Sequence, residues 1–115
     1  MSYKRGKFFE EMALGYLEDK GYRIVNKNFK LPLGEIDFIA NDKGTLCFIE
    51  VKGRTEPYKY EPVEAIDRAK KKRILDTSSV FLKQNNINNK KVRFDVLSII
   101  QYKEAAEFYL IKGAF

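Results

Sequence analysis

The chain has 115 residues, with 22 basic and 16 acidic side chains, a formal net charge of +6, one cysteine and no histidine. A lone cysteine excludes an internal disulfide framework and a cysteine-based zinc site, and the lack of histidine excludes Ser-His-Asp triads, Cys-His pairs and imidazole-ligated zinc. Any acid–base chemistry falls to carboxylates, lysine, tyrosine or a water acidified by a metal ion.

The length suits one domain, expected over residues 1–115. Nine Phe and seven Tyr, with no Trp, must supply most of the large core groups. Cys47 sits inside an apolar run, as a small buried hydrophobe would, and a free thiol of this kind suits a reducing compartment. No N-terminal stretch resembles a signal peptide and no apolar run reaches membrane-spanning length, so a cytoplasmic protein without a membrane partner is expected. The basic surplus points either to a polyanion, nucleic acid above all, or simply to a charged, solvated surface.

Lys7 to Lys20 is predicted as a helix, because Phe9, Met12, Ala13, Tyr16 and Leu17 form one apolar stripe at helical spacing, and Gly21 provides the stop. Tyr22 to Lys30 reads as a strand and Leu31-Pro32-Leu33-Gly34 as a turn. A second strand is expected from Glu35 to Ala40, a hairpin connection over Asn41-Asp42-Lys43-Gly44, and a third strand from Thr45 to Lys52. This third strand is nearly continuous in apolar residues, as a strand covered on both faces should be. Gly53 to Tyr60 reads as a loop. A second helix is expected from near Pro62 to Gln84. A polar turn over Asn85 to Asn89, a strand from Val92 to Ile100 and a short fifth strand from Phe108 to Ile111 complete the chain. Three strands in an antiparallel meander, followed by a helical crossover, set the fourth strand parallel to the third or close to it. The expected class is α/β, a mixed sheet of four to five strands flanked by helices.

Charges interrupt the best strands. Alternation puts Leu46, Phe48, Glu50 and Lys52 on one face of the third strand, so Glu50 breaks a row that should be buried. A buried carboxylate is costly unless it is paired, and Lys52, two residues on, is one partner. Asp37 sits in the middle of the second strand, where Asp is disfavoured. If the two strands pair around Asp42, Asp37 and Glu50 lie near each other, and each raises the other's pKa. A divalent cation removes that penalty, and hard oxygen donors suit magnesium or manganese. Two acids and a neighbouring lysine then form a minimal phosphodiesterase site, with a structural ion pair as the competing interpretation.

The strings Gly34-Glu35-Ile36-Asp37-Phe38-Ile39-Ala40 and Phe48-Ile49-Glu50-Val51-Lys52-Gly53-Arg54 resemble the PD-(D/E)xK nuclease superfamily, and more closely its YraN-like bacterial family, mostly of unknown function. The resemblance extends over almost the whole chain, through Glu10 with Ala13, Tyr16-Leu17 and Gly21-Tyr22, then Glu61 to Asp67 with Lys70, then Val92 to Val96 and Gly113-Ala114-Phe115. It implies a restriction-endonuclease-like α/β/α fold related to Holliday-junction resolvases. It also implies a Mg2+ or Mn2+ cofactor held by Asp37, Glu50 and the Val51 carbonyl, with Lys52 as the catalytic lysine and Glu10 as a first-helix acid. One departure is Phe9, where relatives often have glycine before that glutamate.

Arg68, Lys70, Lys71, Lys72 and Arg73 form a basic cluster on the second helix. Beside a phosphodiesterase site this cluster is expected to hold the phosphate backbone. Lys70, set between Ile66 and Ile74 on one helical row, either reaches a phosphate or runs its stem along the apolar surface into water, the commoner outcome. Arg54, in the loop after the site with Tyr58, Lys59 and Tyr60, is a further candidate for gripping nucleic acid. The function expected is a metal-dependent DNA endonuclease or junction-processing nuclease, and a homodimer suits branched substrates. The alternatives are a catalytically silent nucleic-acid-binding module on the same fold and a protein-interaction factor.

Overall fold

The computed structural model describes residues 3–55 and 67–115. Its elements run α1 (Tyr3–Asp19), β1 (Arg23–Leu31), β2 (Gly34–Asp42), β3 (Thr45–Thr55), α2 (Arg68–Gln84), β4 (Val92–Gln101) and β5 (Ala106–Ile111). The five strands form one sheet in sequence order. β1, β2 and β3 make the expected antiparallel meander. The α2 crossover delivers β4 parallel to β3, and β5 closes the edge antiparallel to β4.

Each face of the sheet buries one helix. The stripe on α1 supplies Phe9, Ala13 and Leu17, which pack on Phe38, Ala40, Cys47, Ile49, Leu97 and Ile99. The alternate residues Leu46 and Phe48 join Ile36, Ile39, Ile74 and Phe81 under α2. Fully burying a side chain of this size stabilises by about 1.5–3 kcal/mol, so the two clusters hold both helices to the sheet. The result is a restriction-endonuclease-like α/β fold with a layer on either face.

Two glycines let the layers approach. A Cβ on Gly53 would run into the Phe9 ring, and one on Gly34 would lie 2.6 Å from Thr77 Oγ1 on α2. Phe9, the departure noted in the sequence, is thus the residue that seats α1 over Gly53, and it is fully buried.

α2 begins at an Asp67 cap whose side chain accepts from the Lys70 N–H at 2.8 Å, worth about 1 kcal/mol. The start near Pro62 expected from sequence lies outside the described residues. β3 also differs from expectation. It runs on to Thr55 because the parallel ladder with β4 continues to Gln101. Gly53 and Arg54 are therefore strand residues, and Arg54 is buried rather than set in a loop. Among the described residues no helix is long and apolar enough to cross a membrane.

One end of the sheet is locked by ion pairs. Arg93 bonds both oxygens of the fully buried Asp95, at 2.8 and 2.9 Å, and reaches Asp42 at 2.8 Å. The Tyr22 hydroxyl donates to Asp95 at 2.9 Å, Gly113 N–H donates to its other oxygen at 3.0 Å, and Lys112 lies 3.2 Å from Asp42. The Arg93 hydrogen bond, with Lys112 behind it, holds the Asp42 carboxyl below its ordinary range. Burial and the neighbouring Asp95 push the Tyr22 hydroxyl upward, so it stays a donor.

Candidate metal centre

The opposite end of the sheet is open. The β2–β3 ladder runs from Asp42–Thr45 to Phe38–Ile49 and stops there. β2 nonetheless stays paired with β1 to Gly34, and β3 with β4 to Thr55. The sheet forks, and Asp37 sits at the crotch. Its Oδ2 accepts the Val51 N–H at 2.7 Å, so a side chain replaces the missing rung of the ladder. The N–H and C=O of a strand residue point to the same side, so the Val51 carbonyl faces the fork as well.

Strand irregularity aims these groups. Ile36 and Ile39 both face α2, while Phe38 and Ala40 face α1, so the two-residue alternation breaks at Asp37. Across from it in β1, Asn28 adopts a left-handed backbone with φ 53°, which Asn tolerates better than most residues. Its amide donates to Glu10 Oε1 at 2.6 Å. That bond fixes the α1 acid over the fork.

Four ionisable groups converge on the α2 side of the fork. Glu50 follows Phe48 on that face and is 8% exposed. Burial first, and then the Glu50 carboxylate beside it, raises Asp37 well above the ordinary carboxylate range. Lys52 continues the same row. Burial, and then the nearby Lys70 ammonium, lowers it to about 8. Lys70 Nζ lies 3.6 Å from Glu50 Oε1. Two acids and two lysines thus face one another around the fork, Glu50 buried and the other three partly exposed.

Two hollows flank Asp37. One, about 120 Å³, is lined by Gly6, Phe9, Glu10, Asn28, Glu35 and Val51 together with Asp37. The other, about 150 Å³, lies under α2 and is lined by Gly34, Glu35, Asp37, Glu50, Lys70 and Arg73 among others. Among the described residues no three carboxylate or thiol side chains are placed to hold an ion by themselves. A cation at the fork would rest on Asp37, Glu50 and the Val51 carbonyl, with water and substrate completing its shell. That donor set fits magnesium, which keeps several waters and is commonly bound through one or two carboxylates plus phosphate.

The structure therefore brings together Asp37, Glu50, Val51, Lys52 and Lys70, with Glu10 in the adjoining hollow. Lys70 does not run out into water, the commoner course for such a side chain. The helix geometry set by Gly34 brings its ammonium down onto Glu50. The rest of the basic cluster divides. Arg73 lines the hollow under α2, Arg68 is exposed at the helix start, Lys71 lies over the Phe115 ring at 5.6 Å, and Lys72 pairs with Asp76 at 2.8 Å. Arg54 lies buried in β3, beyond Lys52 on the same row, and not on a loop. Glu35 is exposed and 3.6 Å from Lys30, yet it lines both hollows. Asn28 escaped the sequence reading, although an Asn inside a strand is itself a signal of irregular backbone.

Residues 9–99 match the Uncharacterised protein family UPF0102. The UPF0102 protein of Persephonella marina is 39% identical over 114 residues, 99% of this chain and 95% of its own length. That of Clostridioides difficile is 38% identical over 96 residues, 84% of either chain, and that of Sulfurihydrogenibium sp. is 40% identical over 96 residues, again 84% of each. The forked sheet, its acid pair and these matches together place the chain in the UPF0102 (YraN-like) family, a PD-(D/E)xK nuclease-like group.

Proposed function

We propose that this protein is a metal-dependent nuclease that hydrolyses phosphodiester bonds in DNA, working on Mg2+ or Mn2+ in the cytoplasm. The observation that carries the proposal is the juxtaposition of Asp37 and Glu50 in the sheet fork, with Lys52 next on the same face. A divalent cation bound there supplies charge that polarises a phosphodiester and acidifies water. Asp37 and Glu50 provide its two carboxylate ligands, and Val51 supports both by giving its N–H to Asp37 and turning its carbonyl into the fork. Lys52 stabilises negative charge developing on the phosphate or orients the attacking water. Lys70 and Arg73, overhanging the hollow from α2, hold a phosphate oxygen once the substrate arrives. Glu10, fixed by Asn28, lies on the far side of Asp37, where it can orient water. The reducing compartment is supported by the buried, unpaired thiol of Cys47.

The test is cleavage of labelled linear, flapped, single-stranded and four-way-junction DNA, and of RNA, with magnesium or manganese against a chelator. Lys52→Ala is the control. Cutting that needs metal and is lost in the variant is expected. A catalytically silent binding module is the second possibility, favoured by the Lys70–Glu50 pair, which already satisfies one acid without metal. Folded protein that binds the same DNA but cuts none of the panel would establish that alternative.

A further inference from the structure

The positive charge of this chain is not confined to the fork. The strand directions place the start of β1, the end of β2, the starts of β3 and β4 and the end of β5 at one end of the sheet, away from the acids. Each of these strand ends, or the turn beside it, carries an exposed cation. They are Arg23 at the start of β1, Lys43 in the β2–β3 turn, Lys90 and Lys91 before β4, and Lys112 after β5. The strand ends touch: Leu46 N–H donates to the Lys91 carbonyl at 2.8 Å, and Lys112 lies 3.2 Å from Asp42 beside Lys43. With strands about 4.8 Å apart, the row crosses roughly 20 Å of sheet.

Little offsets this charge. Asp42 and Asp95, the acids inside the same end, are already engaged by Arg93 and Lys112. Glu18 and Asp19 on the last turn of α1 are the exposed acids nearest in sequence, next to Lys20. Lys90 and Lys91 follow a loop in which Asn86, Asn88 and Asn89 are all exposed, a further supply of neutral donors for phosphate oxygens. Lys112 serves the fold through its pair with Asp42, but the fold gains nothing from setting Arg23, Lys43, Lys90 and Lys91 along the same rim, because like charges repel.

We infer that this rim is a second backbone-binding surface for duplex nucleic acid, which grips an arm of the substrate remote from the bond that is cut. The inference rests on the nucleic-acid reading proposed above and deepens it. Glu50 lies five residues up β3 from Thr45, about 17 Å at strand rise, which equals about five base pairs of duplex. The substrate class is therefore duplex-bearing, long enough to reach from the fork to the rim, and not an isolated nucleotide or a short single-stranded end.

The experiment is a salt titration of binding to a duplex of about 24 base pairs, read by fluorescence anisotropy in chelator so that nothing is cut. It compares the wild type with the rim variant Lys43→Glu/Lys90→Glu/Lys91→Glu and with the helix variant Arg68→Glu/Arg73→Glu. The rim residues are exposed, so the melting temperature of the rim variant should match the wild type, which shows that it is folded. The slope of log affinity against log salt is expected to fall by roughly 2.7 in the rim variant, about 0.9 for each of three phosphates that are no longer neutralised. A rim variant with the wild-type slope and affinity, beside a helix variant that has lost both, overturns the rim and leaves the nuclease reading standing. A wild type that binds no duplex at low salt also overturns the rim, and cleavage of the single-stranded substrates then decides the nuclease reading.

Discussion

Replacing Asp37 by Asn should make the metal-free protein more stable while destroying its response to metal. The fork holds Asp37 and Glu50 close together with little water, and this raises Asp37 well above the ordinary carboxylate range. A group whose folded pKa lies above its unfolded value contributes stability at acid pH and loses it as pH rises through the carboxylate range toward the raised folded value. The loss is about 1.4 kcal/mol for each pH unit in that window. Asn keeps the size of Asp and an oxygen that can still accept the Val51 N–H, so it removes the charge and not the rung. At pH 8 in chelator, Asp37→Asn should gain about 1–3 kcal/mol, which is roughly 4–8 °C in melting temperature for each kcal/mol. At pH 5 the gain should shrink. Manganese at about 100 times its Kd should add about 2.7 kcal/mol to the wild type and far less to the variant. Thermal melts at both pH values, with and without manganese, measure all of this. An Asp37→Asn protein that melts below the wild type in chelator at pH 8, or gains as much from manganese, would refute the account of the fork as a repulsive pair awaiting a cation.

Other perturbations follow the same physics. Lys52 is lowered to about 8, so its charged form opposes folding at neutral pH, and stability on this account rises as pH climbs from about 8 toward the ordinary lysine range. Lys52→Met should abolish cleavage while melting at or above the wild type at pH 7, and a large drop in melting temperature would contradict that sign. Lys70→Met removes the ammonium that faces Glu50 at 3.6 Å. Calorimetry should then show manganese binding up to about tenfold tighter, near 1.4 kcal/mol, and unchanged affinity would mean that Lys70 does not compete with the ion. Gly53→Ala drives a methyl into the Phe9 ring and should cost about 1–3 kcal/mol in denaturant titration. Phe9→Leu in the same chain should recover part of that loss, and strict additivity of the two changes would argue against direct contact.

The layers and the strand order were legible because their signals are local. The α1 stripe, the Asn41–Gly44 hairpin and the unbroken apolar run of β3 each depend on neighbours in sequence, and the crossover rule supplied the parallel β4. The acid pair was legible for a related reason, since a carboxylate in a buried row has few innocent explanations. What escaped was decided by contacts distant in sequence. From sequence Gly53 reads as the start of a loop, but it is a glycine because Phe9 from α1 lies on it, and β3 continues to Arg54 and Thr55 along β4. The descent of Lys70 onto Glu50 depends on how closely α2 approaches β2, which Gly34 sets across the layer. The aim of Glu10 depends on the backbone of Asn28, 18 residues away.

The burial of Cys47 has a practical consequence. The only thiol of the chain lies between α1 and the sheet with no exposed surface, and burial, with the Asp95 carboxylate nearby, pushes it up to about 12. Thiolate is the reactive form, so the native protein should be nearly inert to alkylating reagents and should react only when α1 lifts or the chain unfolds. The rate at which Cys47 is modified is then a clock for the opening of that layer. Because the clock sits on the face opposite Lys70, it can report on the α1 side of the sheet while the proposed metal or nucleic acid is titrated onto the other.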